Sequence, residues 1–133
     1  FLGPVRADEC DSNGVMRESG MMAKVADGMS HFFIALRDRP RADGIGGAAL
    51  EYRIVFRKWP QLGDFVEVRS GLKGLGTKTM QICHFLFDVE TGECLASAEA
   101  VTISFDLVTR KSIVIPPEYR AAMQQHVIAG LAV

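Results

Sequence analysis

An excess of charge of either sign is missing from this chain. Its 133 residues carry 15 basic and 16 acidic side chains, a formal charge of -1. That leaves no cationic footprint for a phosphate backbone, so nucleic acid is not an expected partner. Cysteine is scarce: Cys10, Cys83 and Cys94 are odd in number, far apart and without a CxxC. A disulfide framework and a zinc knuckle are thereby excluded, and reduced thiols in a cytoplasm fit best. No apolar run approaches the ~20 residues that cross a bilayer, and no basic segment with an apolar stretch and cleavage site opens the chain. The expectation is a soluble, cytoplasmic protein with no membrane partner. Glycine-rich phosphate loops are lacking as well, since Gly74-Leu75-Gly76 is too short for a P-loop and reads as a hairpin turn. The chain opens on Phe1 in a strand-like run, so a few residues upstream of it are expected.

The composition that remains is globular, with 48% apolar and 23% charged residues. A chain of this length removes roughly two-thirds of its unfolded surface from water, enough for a real core. From Arg17 to about Arg37, Met22, Val25, Met29, Phe32 and Leu36 recur at three- and four-residue steps, which predicts one face of an α-helix. Lys24, Asp27 and His31 read as its polar stripe. Ser12, Asn13 and Gly14 supply turn and capping chemistry before it, and the segment 37–47, rich in Pro, Asp and Gly, ends it. Gly20, Ala23, Ala26, Gly28 and Ala35 lower helix propensity but allow another backbone to come close.

After Gly47 the period changes to two. Leu50, Tyr52, Ile54 and Phe56 alternate with charged residues, the pattern of a strand with one buried face. Further strands are expected at 64–72, 77–89, 94–106 and 112–115, joined by hairpin turns into an antiparallel meander, with a short helix opened by Pro116-Pro117. Ala96, Ala98 and Ala100 form a strip on which a helix could sit. One helix covers one face of a sheet, so the fold class is α+β, and the other face and the edge strand call for a second copy of the chain.

That order of elements, with the run Asp8-Glu9-Cys10-Asp11-Ser12-Asn13-Gly14-Val15-Met16, resembles the hotdog-fold acyl-CoA thioesterases of the 4-hydroxybenzoyl-CoA thioesterase type. Supporting pieces are Arg53 to Trp59 ahead of a Pro/Gly turn, the Gly74-to-Thr77 turn, and Phe87-Asp88-Val89-Glu90-Thr91-Gly92-Glu93 before the alanine-rich strand. The resemblance implies a single domain over 1–133, a curved antiparallel sheet wrapped around one long helix, and a homodimer or homotetramer with the site at a subunit interface. It implies hydrolysis of an acyl-CoA or acyl-carrier thioester, with no cofactor and no metal.

By the same resemblance Asp11, three residues before Gly14, is the catalytic carboxylate, either as general base or as nucleophile. The backbone N–H of Glu18 in the first helical turn is the expected oxyanion donor. Gly14 belongs to the substrate-binding loop. Because coenzyme A carries phosphates, Arg57, Lys58 and Lys78, with Lys73, are candidate carrier-binding cations. The chain departs from many family members at Val15, where they carry His, and at Met21, where they carry Tyr; Arg17 stands where they have a small polar residue. Two plainer readings stand beside this one. Asp11 can serve as a turn residue bonded to its own backbone, and the whole chain can be a non-catalytic acyl-CoA-binding or assembly module. A hotdog hydratase would need an Asp-x-x-x-x-His loop, which the sequence lacks.

Overall fold

A computed structural model describes residues 1–36 and 44–133. Strand β1 (Leu2–Pro4) leads through a 3-10 turn (Ala7–Glu9) and a loop into α1 (Glu18–Ala35). Strands β2 (Ile45–Phe56), β3 (Phe65–Leu75), β4 (Thr79–Asp88) and β5 (Cys94–Asp106) follow, and α2 (Pro117–Gln124) comes last. The five strands form one curled antiparallel sheet in the order β1-β3-β4-β5-β2. Among the described residues no helix is long and apolar enough to cross a membrane. The expected helix-ending segment 37–47 lies outside the described residues as far as 43; Gly44 is a turn with positive φ, and β2 has begun by Ile45.

Two sequence expectations change here. The meander has three strands, β3-β4-β5, because β2 pairs with β5 and not with its chain neighbour β3. The segment 57–64 therefore crosses the end of the β4–β5 hairpin, where the amides of Arg57 and Lys58 both donate to Leu95 O. As the edge strand, β2 buries little of the face its alternation suggested: Leu50 is 61% exposed and Tyr52 37%. The second change is at the last expected strand, since 112–115 makes one antiparallel bridge, Ser112 to Phe105, and a bond from Ile115 N to Thr77 O before the chain turns into α2. Smaller shifts follow from β3, which continues through a bulge at Leu72/Gly74 to Leu75 where a turn was expected.

Helix α1 lies over β3 and β4 on the face that carries Val68, Ser70 and Leu72. The alanine strip belongs to the same face, through the register Leu86↔Ala96, His84↔Ala98 and Ile82↔Ala100. A Cβ on Gly28 would collide with Val68, so this glycine is what lets the helix come down on the sheet. The core divides along the helix. Val5, Cys10, Met16, Met21, Val66, Val68, Leu86, Leu95 and Ala96 pack beneath its start. Leu72, Met80, Ile82, Ile115 and Met123 pack at its other end, joined by Met29, Phe32 and Phe33. The face of the helix that is fully buried is Gly20, Met21, Lys24, Val25 and Gly28, so Lys24 belongs to the interior and not to a polar stripe.

His84 is wholly buried on this inner face. Its Nδ1 lies 2.6 Å from Ser70 Oγ, and its Nε2 has no hydrogen-bond partner among the described residues. Burial pushes the imidazole pKa down to about 4. The ring is neutral in the folded chain but takes a proton in the unfolded chain below its ordinary ~6.5. Its contribution is complete above about pH 6.5 and is lost as pH falls from there toward 4, so stability should drop by about 2 kcal/mol between pH 7 and pH 5 from this group. Urea unfolding at the two pH values measures this. His84→Gln should flatten the decline, and an unchanged decline in the variant would show that His84 is not its source.

Candidate active site

The loop before α1 is closed by its own backbone. Cys10 bridges to Met16, Asp11 N donates to Val15 O at 2.8 Å, and Gly14 N donates to Asp11 O at 3.1 Å. Gly14 sits at φ 76, where side chains other than glycine are disfavoured. Asp11 Oδ1 accepts hydrogen bonds from Asn13 N at 2.9 Å and Val15 N at 3.0 Å. This is an Asx turn, and both bonds fall on the same oxygen. The carboxylate is exposed, and the turn fixes its orientation while using only Oδ1.

The crossover segment props this loop from one side. Met16 N donates to Pro60 O at 2.9 Å, Val15 bridges to Gln61, and Leu62 N donates to Gly14 O at 2.8 Å. Next to these contacts Trp59 stacks on Phe56 with ring centroids 5.0 Å apart. Trp59 and Leu62 remain 39% and 53% exposed, so an apolar surface flanks the Asp11 loop.

Glu9 holds the loop to the helix. Its carbonyl accepts Arg17 N at 2.9 Å, its Oε2 accepts Arg6 N at 2.9 Å, and its Oε1 pairs with Lys24 Nζ at 2.9 Å. The side chains of Glu9 and Lys24 are 6% and 1% exposed. Lys24 Nζ also donates to Pro4 O at 3.2 Å and lies 4.8 Å from the centre of the Phe1 ring. Neither residue stands out in the sequence, where Lys24 reads as part of a polar stripe. A usable signal was the four-residue spacing Gly20, Lys24, Gly28, a ridge in which a lysine sits between two glycines that mark close approach.

Helix α1 begins without a side-chain cap on Arg17, whose carbonyl accepts Met21 N. The N–H groups of Glu18, Ser19 and Gly20 form the first turn, which an α-helix cannot satisfy internally and which carries the positive end of its dipole. The Glu18 side chain is exposed, a favourable charge at that end. Met21 is buried in the core against the loop's bridged ends Cys10 and Met16, so this position offers packing and no polar group. Arg17 Nη2 donates to Asp8 O at 2.6 Å. Cys10 is no nucleophile in waiting: burial first, then the charges of Glu9 and Asp11, hold its thiol above its ordinary pKa.

The basic candidates do not gather in one chain. Arg57 and Lys58 follow β2 at the Asp11 end of the sheet, where Arg57 Nη1 donates to Ser97 Oγ at 2.8 Å and Lys58 pairs with Glu93 at 2.7 Å. The hydrogen bond from Lys58 to Glu93 raises the lysine pKa, so the cation is firmly charged. Lys78 is at the opposite end, its carbonyl bonded to Ser104 N and its ammonium 3.2 Å from Ser112 Oγ. From Ala96 to Ser104 the strand runs about 26 Å at ~3.3 Å per residue. Lys73 is paired with Glu99 at 2.7 Å. Asp27 is half-buried and His31 exposed, edge-on to Phe1, and no cluster that could hold a metal occurs among the described residues.

A curled antiparallel sheet around one long helix, with an aspartate loop at the start of that helix, is the α+β hotdog architecture. The chain belongs to the thioesterase-like superfamily, whose sequence model matches residues 5–123. Over 76 residues it is 30% identical to the chloroplastic acyl-[acyl-carrier-protein] hydrolase of Cuphea viscosissima, a match that covers 57% of this chain and 18% of the relative. The match thus spans less than a fifth of that relative's length. Among solved structures it is similar to the 12:0-ACP thioesterase from Umbellularia californica, with TM-score 0.85 and 18% identity over 100% of this chain and 55% of that one. It is also similar to a Staphylococcus aureus protein determined in complex with CoA, with TM-score 0.82 and 15% identity over 95% of this chain and 81% of that one.

Gly20 is where loop and helix can least be separated. A Cβ there would lie 2.7 Å from Glu9 O, 3.0 Å from Glu9 Cβ and 3.1 Å from Met16 Cγ. Gly20→Ala gains helix propensity of about 1 kcal/mol but must displace backbone, and overpacking of this kind costs about 1–3 kcal/mol. The expected net result is a lower urea midpoint with an unchanged slope. A midpoint raised by the substitution would mean that the contact yields easily.

Proposed function

We propose that this chain hydrolyses the thioester of an acyl group carried on coenzyme A or on an acyl-carrier protein, with Asp11 as the reacting carboxylate. The observation that supports it most is the Asp11 turn, which binds Oδ1 and leaves Oδ2 for chemistry, in the loop that leads into the uncapped first turn of α1. Membership of the thioesterase-like superfamily gives the reaction class. Both carriers stay in the proposal because the Cuphea relative is named for an acyl-carrier substrate and the Staphylococcus structure holds CoA.

In the general-base route Asp11 takes a proton from water as its oxygen bonds to the thioester carbon. The carbonyl electrons move onto oxygen, which the N–H of Glu18 and its neighbours in the first turn stabilise; one such donor is worth about 3 to 4 kcal/mol of barrier. Collapse breaks the C–S bond, and the departing thiolate takes the proton from Asp11. In the nucleophilic route Oδ2 bonds to the carbon, the thiolate leaves, and water cleaves the resulting anhydride. Gly14 keeps the loop in shape for either route. Arg57 and Lys58, at the Asp11 end of the sheet, are the cations best placed for carrier phosphates, and Lys78 would reach that site only from a second subunit. The outer edge of β2, with Leu50 and Tyr52 exposed, supports a homodimer with the site at the interface, and dimers can pair into tetramers. Three free thiols fit a cytoplasmic setting.

The second reading is an acyl-binding module without turnover, favoured by Val15 and by the burial of Met21, which leave the loop without the usual polar side chains. Thiol release from acyl-CoAs of graded chain length separates the two. Wild-type protein should release thiol above background on at least one of them, and Asp11→Ala should lower kcat by about 10²-fold or more. Full activity in Asp11→Ala would remove the carboxylate from the mechanism; tight binding with no release on any substrate would establish the module.

A further inference from the structure

We propose that Glu9 and Lys24 are positioning residues for the hydrolysis: their buried ion pair fixes where the Asp11 carboxylate lies relative to the first-turn N–H groups of α1. The proposal rests on the reading of Asp11 as the reacting carboxylate. Glu9 is two residues before Asp11 in the loop, and through its carbonyl it holds Arg17 N, the last amide before the helix. Its carboxylate is tied on one oxygen to Arg6 N within the loop and on the other to Lys24 in the helix. Lys24 is six residues past Glu18, about 9 Å along the axis at 1.5 Å per residue. Contacts at Arg17 and at Lys24 therefore grip the helix at two heights. Between them Gly20 rests against the Glu9 backbone. Sliding the helix along its axis, turning it, or lifting it from the loop breaks at least one of the three.

Stability alone is a poor account of such a pair. Two charges withdrawn from water lose hydration that their attraction barely returns, and neutral side chains of similar volume commonly hold a fold as well. What the charged pair adds is direction and length: Lys24 Nζ is held from three sides, by Glu9 Oε1, Pro4 O and the Phe1 ring. Reacting groups are sensitive to this, since a displacement of about 1 Å can cost as much as 10²-fold in rate.

The test is steady-state thiol release by the full chain as wild type, Glu9→Gln, the double variant Glu9→Gln/Lys24→Met, Asp11→Asn, and the first two changes combined with Asp11→Asn. Glu9→Gln and the double variant should each lower kcat by about tenfold or more with KM within about threefold. In the Asp11→Asn background the same changes should lower the residual rate by less than about twofold, because they act through the group already removed. The double variant leaves no buried charge unpaired, should melt close to wild type, and carries the test if Glu9→Gln alone does not fold. Wild-type kcat in the double variant, an equal fold loss with and without Asp11, or failure of the double variant to fold would each overturn the positioning role. Undiminished activity in Asp11→Asn would instead overturn the reading of Asp11 itself.

Discussion

The contact on which the rest depends is that between the Glu9 backbone and the first turn of α1. A helix seated on a sheet is free to slide until something fixes its axial position, and hydrophobic packing is too indifferent to direction to do so. Here the Glu9 carbonyl meets Arg17 N, and the absence of a side chain at Gly20 lets the two backbones close. Once that junction is set, Gly28 arrives over β3, Val25 is buried, and Met29 and Phe32 reach the second half of the core. The buried lysine then follows from geometry: a side chain on the ridge between the two glycines points at Glu9, and only a cation can pair with the carboxylate there.

The parts of the fold legible in the sequence were those with a local cause. The step pattern from Met22 to Leu36 gave the helix, and the alternation in Cys94 to Asp106 gave β5 with its observed bounds. The aspartate turn was readable because Asp, Asn and Gly each carry their turn chemistry with them. What could not be read was which strands become neighbours. The β2–β3 connection looks like a hairpin turn, yet the pairing of β2 with β5 is decided by where the curled sheet leaves an edge open, a property of the whole molecule. Lys24 was misplaced for a similar reason. A lysine beside Asp27 and His31 is solvated by default, and only the three-dimensional approach of Glu9 makes burial tolerable.

Cys83 and His84 show how the two faces of β4 differ in the same way. On the inner face His84 shares its Nδ1 with Ser70 under the helix. On the outer face Cys83 lies between Gly71 and Glu99 in register, beneath the Lys73–Glu99 ion pair. Burial and the Glu99 charge hold that thiol above its ordinary pKa. Both groups are thus kept neutral in the middle strand of the sheet, at Cys83 because burial and Glu99 outweigh the opposing charge of Lys73.

The crossover at 57–64 has a bearing on how the protein reaches its native state. The Asp11 loop borrows Pro60 O, Gln61 and Leu62 N from a segment more than forty residues later in the chain, and that segment in turn hangs from Leu95 O. Residues 10–16 close the turn with their own backbone, but its outer support comes from that later segment. Closing such long loops is entropically slow, and chains rich in distant pairings cross their folding barrier late. The integrity of the loop is therefore tied to a crossover that is itself anchored on the β4–β5 hairpin.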